Sequence, residues 1–150
     1  MSRYIPLAAH TDWQTPAEVW QPLDEEFGFT LDVAAAPDNA KCPRFYAADS
    51  DALARAWAPE ICWMNPPYGY GLPVWIQKAH AEAQAGATVV ALLPARTDTA
   101  WFHDHVLGHA EIRFIRSRVY FERPDGTKGR APFPSMIVIW RPSCDGRRAR

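Results

Sequence analysis

The chain has 150 residues, and its 48% hydrophobic content with seven tryptophans predicts one folded domain with a substantial core. Its formal net charge of −1 excludes a surface that is basic throughout, and its three cysteines are too few and too widely spaced for a disulfide framework or a zinc site. We find no basic-then-apolar leader and no apolar run of membrane-spanning length, so we expect no membrane partner and a reducing, cytoplasmic setting.

The charges are distributed unevenly along the chain. Residues 1–110 contain 6 Lys/Arg and 13 Asp/Glu, whereas residues 111–150 contain 10 Lys/Arg and 4 Asp/Glu. The basic last quarter favours contact with an anionic partner, although a solvated charged face is the simpler interpretation.

The first predicted element is a helix that follows a flexible arm at residues 1–11. Thr15 before Pro16, with Glu18 three residues after the threonine, is typical of a helix start in which the threonine side chain is the cap. Gly28 predicts the end of this helix.

An apolar strand is predicted next, at residues 29–36, and Asp32 is the one charge inside it. Small residues at its end let a ligand approach the backbone, and the carboxylate could meet the ammonium of a bound amino-acid group. A strand-end aspartate that faces solvent is the alternative. The chain has no Gly-x-Gly-x-x-Gly motif, which weakens a dinucleotide-binding interpretation because a pyrophosphate would lack its glycine cradle.

A loop and a short helix are predicted between residues 37 and 59. Asp49 or Asp51 could accept hydrogen bonds from an adenosine group. Capping of the short helix by Asp49 or Ser50 is an equally good interpretation.

The most informative stretch is residues 61–68. Residues 61–64 read as a buried parallel strand, and Pro66 and Pro67 end it because neither residue can donate to a strand ladder. Asn65 therefore lies at the carboxyl end of a strand, where ligands bind in open α/β sheets. A proline-rich turn without a catalytic role is the alternative.

A helix and an apolar strand are predicted within residues 74–93, and Arg96 follows that strand. Arg96 is a candidate for contact with phosphate or substrate, with a salt bridge as the alternative. The next helix is predicted to start at Trp101 and Phe102, with Thr97 or Asp98 as its cap. His103, His105 and His109 lack the spacing of metal ligands, so we expect surface histidines and no metal site.

The last quarter is predicted to form strands at 111–115, 119–121 and 136–140, with a hairpin turn at 124–127. Its basic stretch from Arg113 to Arg130 is the candidate surface for phosphate contact, and the residues chosen there are Arg116, Arg118, Lys128 and Arg130.

Together the elements predict an α/β fold with a mostly parallel sheet, flanking helices and an antiparallel C-terminal edge. We expect a single domain at residues 12–142 and a basic tail at 143–150.

The stretch Asn65-Pro66-Pro67-Tyr68 resembles the Asp/Asn-Pro-Pro-Tyr signature of S-adenosylmethionine-dependent amino-methyltransferases. The exocyclic amine of adenine is a poor nucleophile because its lone pair is delocalised into the ring. The Asn65 side-chain oxygen and the Pro66 carbonyl would accept its hydrogens and leave the lone pair aimed at the sulfonium methyl. Tyr68 would stack on a base rotated out of the duplex.

Five blocks in order narrow the resemblance to the small phage-type DNA N6-adenine methyltransferases, the Dam group of phages and prophages. The blocks are Asp12-Trp13-x-Thr15-Pro16, Leu31-Asp32-Val33-Ala34-Ala35, Asn65-Pro66-Pro67-Tyr68-Gly69, Leu93-Pro94-Ala95-Arg96-Thr97-Asp98-Thr99-x-Trp101-Phe102 and Phe133-Pro134-Ser135-x-Ile137-Val138. The resemblance implies a reduced Rossmann-like fold, S-adenosylmethionine as methyl donor, and DNA, taken to be double-stranded, as substrate in a bacterial host's cytoplasm.

The resemblance also implies roles for individual residues. Those that would border the methyl donor are Trp13, Thr15, Pro16, Asp32 and Ala34, with Asp49 or Asp51 at its adenosine; those that would act on the base are Asn65, Pro66, Pro67 and Tyr68. Only 33 positions separate Asp32 from Asn65, so we expect one strand-helix unit of a full sheet to be missing. Methylation of a protein glutamine or an RNA base, and a non-catalytic DNA-binding α/β module, are the alternative functions.

Overall fold

The computed structural model describes residues 14–35, 39–47, 51–123 and 125–143. Its strands are β1 (Leu31–Ala35), β2 (Phe45–Ala47), β3 (Ile61–Met64), β4 (Thr88–Pro94), β5 (Glu111–Phe114), β6 (Tyr120–Glu122), β7 (Lys128–Arg130) and β8 (Ser135–Trp140). The central sheet has the order β2-β1-β3-β4-β8-β5, and β6 pairs with β7 in a separate hairpin.

The strand directions confirm the predicted α/β class. Strands β1 to β4 are parallel, and the C-terminal strand β8 is antiparallel to both β4 and β5. The antiparallel strand lies one place inside the sheet, because β5 packs outside it and forms the edge.

The core is centred on β4 and β8. Six of the seven residues of β4 and all six residues of β8 are buried. Strands covered on both faces are continuous apolar runs, which is why the sequence of β4 shows no alternation. Each fully buried leucine here, such as Leu92, contributes about 1.5–3 kcal/mol to folding.

Helix α1 (Ala17–Phe27) covers one part of this core. Gly28 adopts a left-handed φ of 68° and donates its N–H to the Asp24 carbonyl at 2.7 Å, so the predicted end is confirmed. The capping prediction for Thr15 was wrong, because Pro16 occupies the N-cap position and no side chain caps the helix. The Thr15 hydroxyl is bonded elsewhere.

The connection from β1 to β3 is compact. The predicted short helix is a single 3-10 turn, Ala52–Ala54. Glu82 of helix α2 (Leu72–Gln84) fixes the chain after this turn, since its Oε1 accepts the N–H groups of Trp57 and Ala58 at 2.7 and 2.9 Å.

After β4 the predicted helix takes the form of a π-helical turn, Phe102–Val106. The predicted caps, Thr97 and Asp98, were wrong. The Thr99 hydroxyl accepts the Phe102 N–H at 3.3 Å, and Phe102 is buried against the core.

The topology brings the candidate segments to one edge of the sheet. Strands β1, β3, β4 and β5 all end there, which places Asn65, Arg96 and Arg116 at the same edge. The chain order reverses between β1 and β3, so the crevice at their carboxyl ends is a topological switch point, the usual ligand position in such sheets. Within the described residues, no helix combines the length and apolarity needed to cross a bilayer.

Candidate active site

Asn65 is held by hydrogen bonds at both ends of its side-chain amide. Its Nδ2 donates to Thr15 Oγ1 at 3.0 Å, and its Oδ1 lies 2.9 Å from the Tyr68 hydroxyl, whose one proton is shared between this oxygen and the Leu92 carbonyl. Asn65 is half-buried, whereas Pro66 beneath it is buried and Pro67 is exposed. The amide predicted to carry the chemistry therefore lies at the mouth of the switch-point crevice with a defined orientation.

Tyr68 is buried rather than presented to solvent. Its residue is 2% exposed, and its ring meets the Phe133 ring edge-on at a centroid distance of 5.6 Å. Its hydroxyl also approaches the Leu92 carbonyl at 2.6 Å. Stacking on a base stays a prediction, and it requires one face of this ring to be uncovered.

The Tyr68 hydroxyl has one proton and two acceptors within reach. The shorter contact, 2.6 Å, is to the Leu92 carbonyl, and the longer, 2.9 Å, is to Asn65 Oδ1. Because a carboxamide oxygen has two lone pairs, this contact leaves Oδ1 able to accept a further hydrogen from a substrate.

Asp32 is buried within the neighbouring strand β1, of which it is the second residue, so the solvent-facing alternative is excluded. It is 3% exposed; its Oδ1 accepts the Ala34 N–H at 3.2 Å and its Oδ2 accepts the Lys41 N–H at 2.9 Å. Burial raises the pKa of Asp32, and the two N–H donors oppose that shift. The carboxylate has lone pairs left for one more donor, as an incoming ammonium requires.

Asp32→Asn is expected to destabilise the fold. Asparagine has one oxygen, so one of the two N–H groups would face an amide NH₂. A buried N–H left without its acceptor costs about 1–3 kcal/mol, and loss of the buried charge offsets part of that cost.

We expect the melting temperature of Asp32→Asn to fall by about 2–4 °C in thermal unfolding followed by circular dichroism. Asp51→Asn, at an exposed position with φ of 52°, is the control and should be unchanged. An Asp32→Asn melting temperature at or above that of the control would contradict this account.

Lys41 is a site residue that the sequence did not reveal. Its Nζ donates to the Thr15 carbonyl at 2.9 Å, and the ammonium lies 5.9 Å from the centre of the Trp20 ring. Burial lowers the pKa of Lys41, while the charges of Glu122 and Asp32 raise it. A single lysine in a loop has no distinguishing pattern, so no sequence signal could have found it.

The other residues predicted to border the methyl donor differ in burial. Pro16 is buried next to Thr15, and Ala34 is half-buried on β1. Asp51 is exposed at the start of the 3-10 turn, with no side-chain capping bond. Trp13 and Asp49 lie outside the described residues.

The basic residues predicted to contact phosphate differ in their exposure to solvent. Arg116, Lys128 and Arg130 are exposed, whereas Arg118 is half-buried and its Nη1 donates to the Ala131 carbonyl at 3.4 Å. The Arg96 guanidinium lies over the Phe133 ring at 5.5 Å, so it borders the aromatic pair formed by Phe133 and the buried tyrosine.

Arg113, the first residue of the predicted basic stretch, does not belong to that surface. Its guanidinium forms a bidentate salt bridge with Glu26 at 2.7 and 2.8 Å, and its Nε donates a hydrogen bond to Glu111 on its own strand. These contacts raise the pKa of Arg113 and lower that of Glu26. Because carboxylates already occupy the donors of Arg113, the phosphate-contact prediction is kept for Arg116, Arg118, Lys128 and Arg130.

Exposed aromatic residues accompany the basic ones, and the sequence did not single them out. Tyr120 pairs with Arg130 across the β6–β7 hairpin and is 49% exposed. Phe114 is 64% exposed at the end of β5, and Tyr70 is fully exposed just after the proline turn. Aromatic faces beside cations are typical of nucleic-acid contact.

The histidines are not independent surface residues. His80 of α2 lies with its Nδ1 3.0 Å from His105 Nδ1, and its ring centre is 4.7 Å from that of His109. His103 is exposed and its Nε2 donates to the Thr97 carbonyl at 2.8 Å. Among the described side chains, no group of three or more His, Cys, Asp or Glu residues is arranged to hold a metal ion.

This histidine cluster predicts a loss of stability in mild acid. Burial and then the neighbouring His109 and His105 lower the pKa of His80 below its ordinary value. The unfolded chain therefore binds a proton that the folded chain resists, and the free energy of unfolding falls as pH falls below about 6.5. His80→Phe keeps a ring and removes the titration.

Denaturant unfolding between about pH 7.5 and about pH 5 should show a shallower loss of stability for His80→Phe than for the unaltered chain. His103→Phe, at an exposed position, is the matched control. Equal pH slopes for the three chains would show that the cluster is not linked to folding.

Comparison with known proteins shows which family the chain belongs to. A family model described as DNA N-6-adenine-methyltransferase (Dam) matches residues 4–149. The chain is 34% identical over 114 residues to the DNA N-6-adenine-methyltransferase of Escherichia phage T1, covering 75% of this chain and 48% of that protein. It is 32% identical over 136 residues to the protein of the same name from Haemophilus phage HP1, covering 87% of this chain and 78% of that protein.

The chain thus spans about half the length of the T1 relative and most of the HP1 relative. The family match extends over nearly the whole sequence and includes the turn that carries Asn65. The chain belongs to the Dam family of DNA N-6-adenine-methyltransferases.

Proposed function

We propose that the chain transfers a methyl group from S-adenosylmethionine to the N6 amine of adenine in double-stranded DNA, in the cytoplasm of a bacterial host. Family membership implies a methyl donor and a DNA substrate. The observation that supports the proposal best is the Asn65 amide, fixed between Thr15 and Tyr68 at the switch point of the sheet.

Asn65 and Pro66 are assigned to the target amine. Asn65 Oδ1 and the Pro66 carbonyl each accept one amine hydrogen, which draws the nitrogen toward tetrahedral geometry and frees its lone pair. When bound, the donor supplies an electrophilic methyl on a sulfonium. As the new carbon–nitrogen bond forms, the carbon–sulfur bond breaks, and the amine then releases one proton to solvent.

The residues around β1 fit the methionine end of the donor, which carries an ammonium and a carboxylate. Asp32 offers a buried carboxylate with unused lone pairs, and the half-buried ammonium of Lys41 lies close by. We assign Asp32 and Ala34 to this end of the donor and Lys41 to its carboxylate. Opposite charges already balanced in a partly buried site lower the cost of receiving a zwitterion.

The remaining donor contacts are proposed from the family resemblance. They are Trp13, Thr15 and Pro16 beside the methyl-bearing end, and Asp49 or Asp51 at the adenosine. Pro67 stiffens the turn that presents the amide, since its ring fixes the backbone φ. These residues lie in a single methyltransferase domain, proposed to span 12–142.

The DNA contacts are proposed for the basic residues that follow β5 and for those on the β6–β7 hairpin. Arg116, Lys128 and Arg130 are exposed there, and Arg118 lies among them. Arg96 is assigned to the phosphate nearest the target nucleotide because it borders the Tyr68–Phe133 pair. A base rotated out of the duplex reaches the amide from this side, and Tyr68 stacks on it once a face of its ring is uncovered.

The test is nucleoside mass spectrometry on duplex DNA incubated with purified protein and methyl-labelled S-adenosylmethionine. Labelled N6-methyladenine is the expected product. Label on cytosine, on RNA or on protein glutamine, with none on adenine, would overturn the substrate assignment. Absence of label together with absence of donor binding in calorimetry would favour a non-catalytic DNA-binding module.

A further inference from the structure

Thr15 and Asn65 are joined by a hydrogen bond that spans 50 positions of the chain. The Thr15 hydroxyl lies 3.0 Å from Asn65 Nδ2, and the residue is 3% exposed. The hydroxyl does not cap helix α1. The hydroxyl instead accepts a hydrogen bond from Asn65, the proposed acceptor of the amine hydrogens.

The amide needs such a partner because of its position in the chain. Asn65 follows the last residue of β3, and the torsion of a carboxamide about Cβ–Cγ has only broad minima. Contacts of 3.0 Å at Nδ2 and 2.9 Å at Oδ1 fix the plane of the amide from opposite ends. An acceptor that must meet an amine hydrogen within hydrogen-bond reach depends on that plane.

Thr15 is itself fixed from two directions. Lys41 Nζ donates to its carbonyl at 2.9 Å. The preceding residue, Gln14, exchanges two backbone hydrogen bonds with Glu122 of β6, at 2.8 and 2.9 Å. The hydroxyl is therefore carried by backbone that is hydrogen-bonded to the basic hairpin.

We propose that Thr15 is a positioning residue that sets the orientation of the Asn65 amide for methyl transfer. The inference rests on the proposed role of Asn65. Thr15 acts through the amide, so its loss changes the rate of transfer more than the binding of donor or DNA.

Thr15→Val and Thr15→Ser form a matched pair. Valine keeps the shape and cannot hydrogen-bond, whereas serine keeps the hydroxyl. We expect Thr15→Val to lower kcat about 10- to 100-fold, with KM for DNA within about twofold of the unaltered enzyme; because Thr15 is also proposed to border the donor, KM for S-adenosylmethionine should change by less than kcat does. Thr15→Ser should restore kcat to within about threefold of the unaltered enzyme.

An unchanged kcat in Thr15→Val would overturn the proposal. So would a raised KM for S-adenosylmethionine with kcat retained, because that result assigns Thr15 to donor binding alone. Equal loss in the serine and valine variants would also contradict the proposal, because it would show that the hydroxyl alone is not sufficient and that packing of the whole side chain sets the rate.

A second measurement separates this inference from the proposed function. If the unaltered enzyme methylates no substrate, thermal unfolding still reads the contact. Thr15→Val should lower the melting temperature by about 2–4 °C in the unaltered chain and by less than half of that in the Asn65→Ala chain. Equal shifts in both backgrounds would show that Thr15 does not act on Asn65.

Discussion

Asn65→Ala is expected to reduce methylation of DNA by at least about 100-fold, which is the scale for removing one fixed hydrogen-bonding group from a charge-developing site. The substitution removes the proposed acceptor for the amine and leaves Pro66 as the remaining one. Because Asn65 is half-buried at the end of β3, we expect the fold and the affinity for S-adenosylmethionine to change little. The assay is incorporation of labelled methyl groups at saturating donor and DNA.

Asn65→Asp is the matched control. A carboxylate keeps an oxygen in the position of Oδ1, and the Thr15 hydroxyl can donate to its second oxygen. We expect this variant to retain measurable activity. Substantial activity in Asn65→Ala would show that another group accepts the amine hydrogens and that the turn at residues 65–68 has a different role.

The double variant Lys128→Gln/Arg130→Gln is expected to weaken binding to duplex DNA about tenfold at moderate salt and to leave kcat at saturating DNA unchanged. Both side chains are exposed on β7, and its partner strand β6 is bridged to Gln14, next to the Thr15–Asn65 contact. If each contacts one phosphate, the slope of log K against log salt should become shallower by about 2. Fluorescence anisotropy across a salt series measures both quantities.

Arg44→Gln/Arg141→Gln is the control for net charge. It also removes two positive charges, but from the opposite edge of the central sheet, since Arg44 precedes β2 and Arg141 follows the antiparallel β8. We expect the salt slope of this control to match that of the unaltered chain. Equal slopes for the two double variants would place the duplex elsewhere on the surface.

The strand that positions the site could be predicted because its signals are local. An apolar run at residues 61–64 followed by two prolines determines where β3 ends, and the structure has β3 at those residues. Gly28 marks the end of α1 for a similar reason, since a left-handed residue is needed there. The chemistry of Asn65 follows from its amide and its place after a strand.

The partners of the site residues could not be predicted because they depend on tertiary contacts. The side chain of Thr15 looked like a helix cap, and its bond to Asn65 appears only when the two segments are packed together. Burial of Tyr68 depends in the same way on Phe133, which is distant in sequence. Lys41 gave no sequence signal. The histidine cluster gave none either, because only the packing of α2 against the π-helical turn brings the imidazoles together.

The pair of backbone bonds between Gln14 and Glu122 joins the β6–β7 hairpin to the segment that carries Thr15. The β6–β7 hairpin is not structurally independent of the site, because an isolated β-bridge joins its Glu122 to Gln14, the residue before Thr15. Exchanging the hairpin for one of a different length or register would shift Thr15 and so lower the rate of methyl transfer. We therefore expect DNA binding to be altered most readily by side-chain replacement on an unchanged hairpin backbone, and grafted hairpins to yield proteins that bind DNA but methylate it slowly.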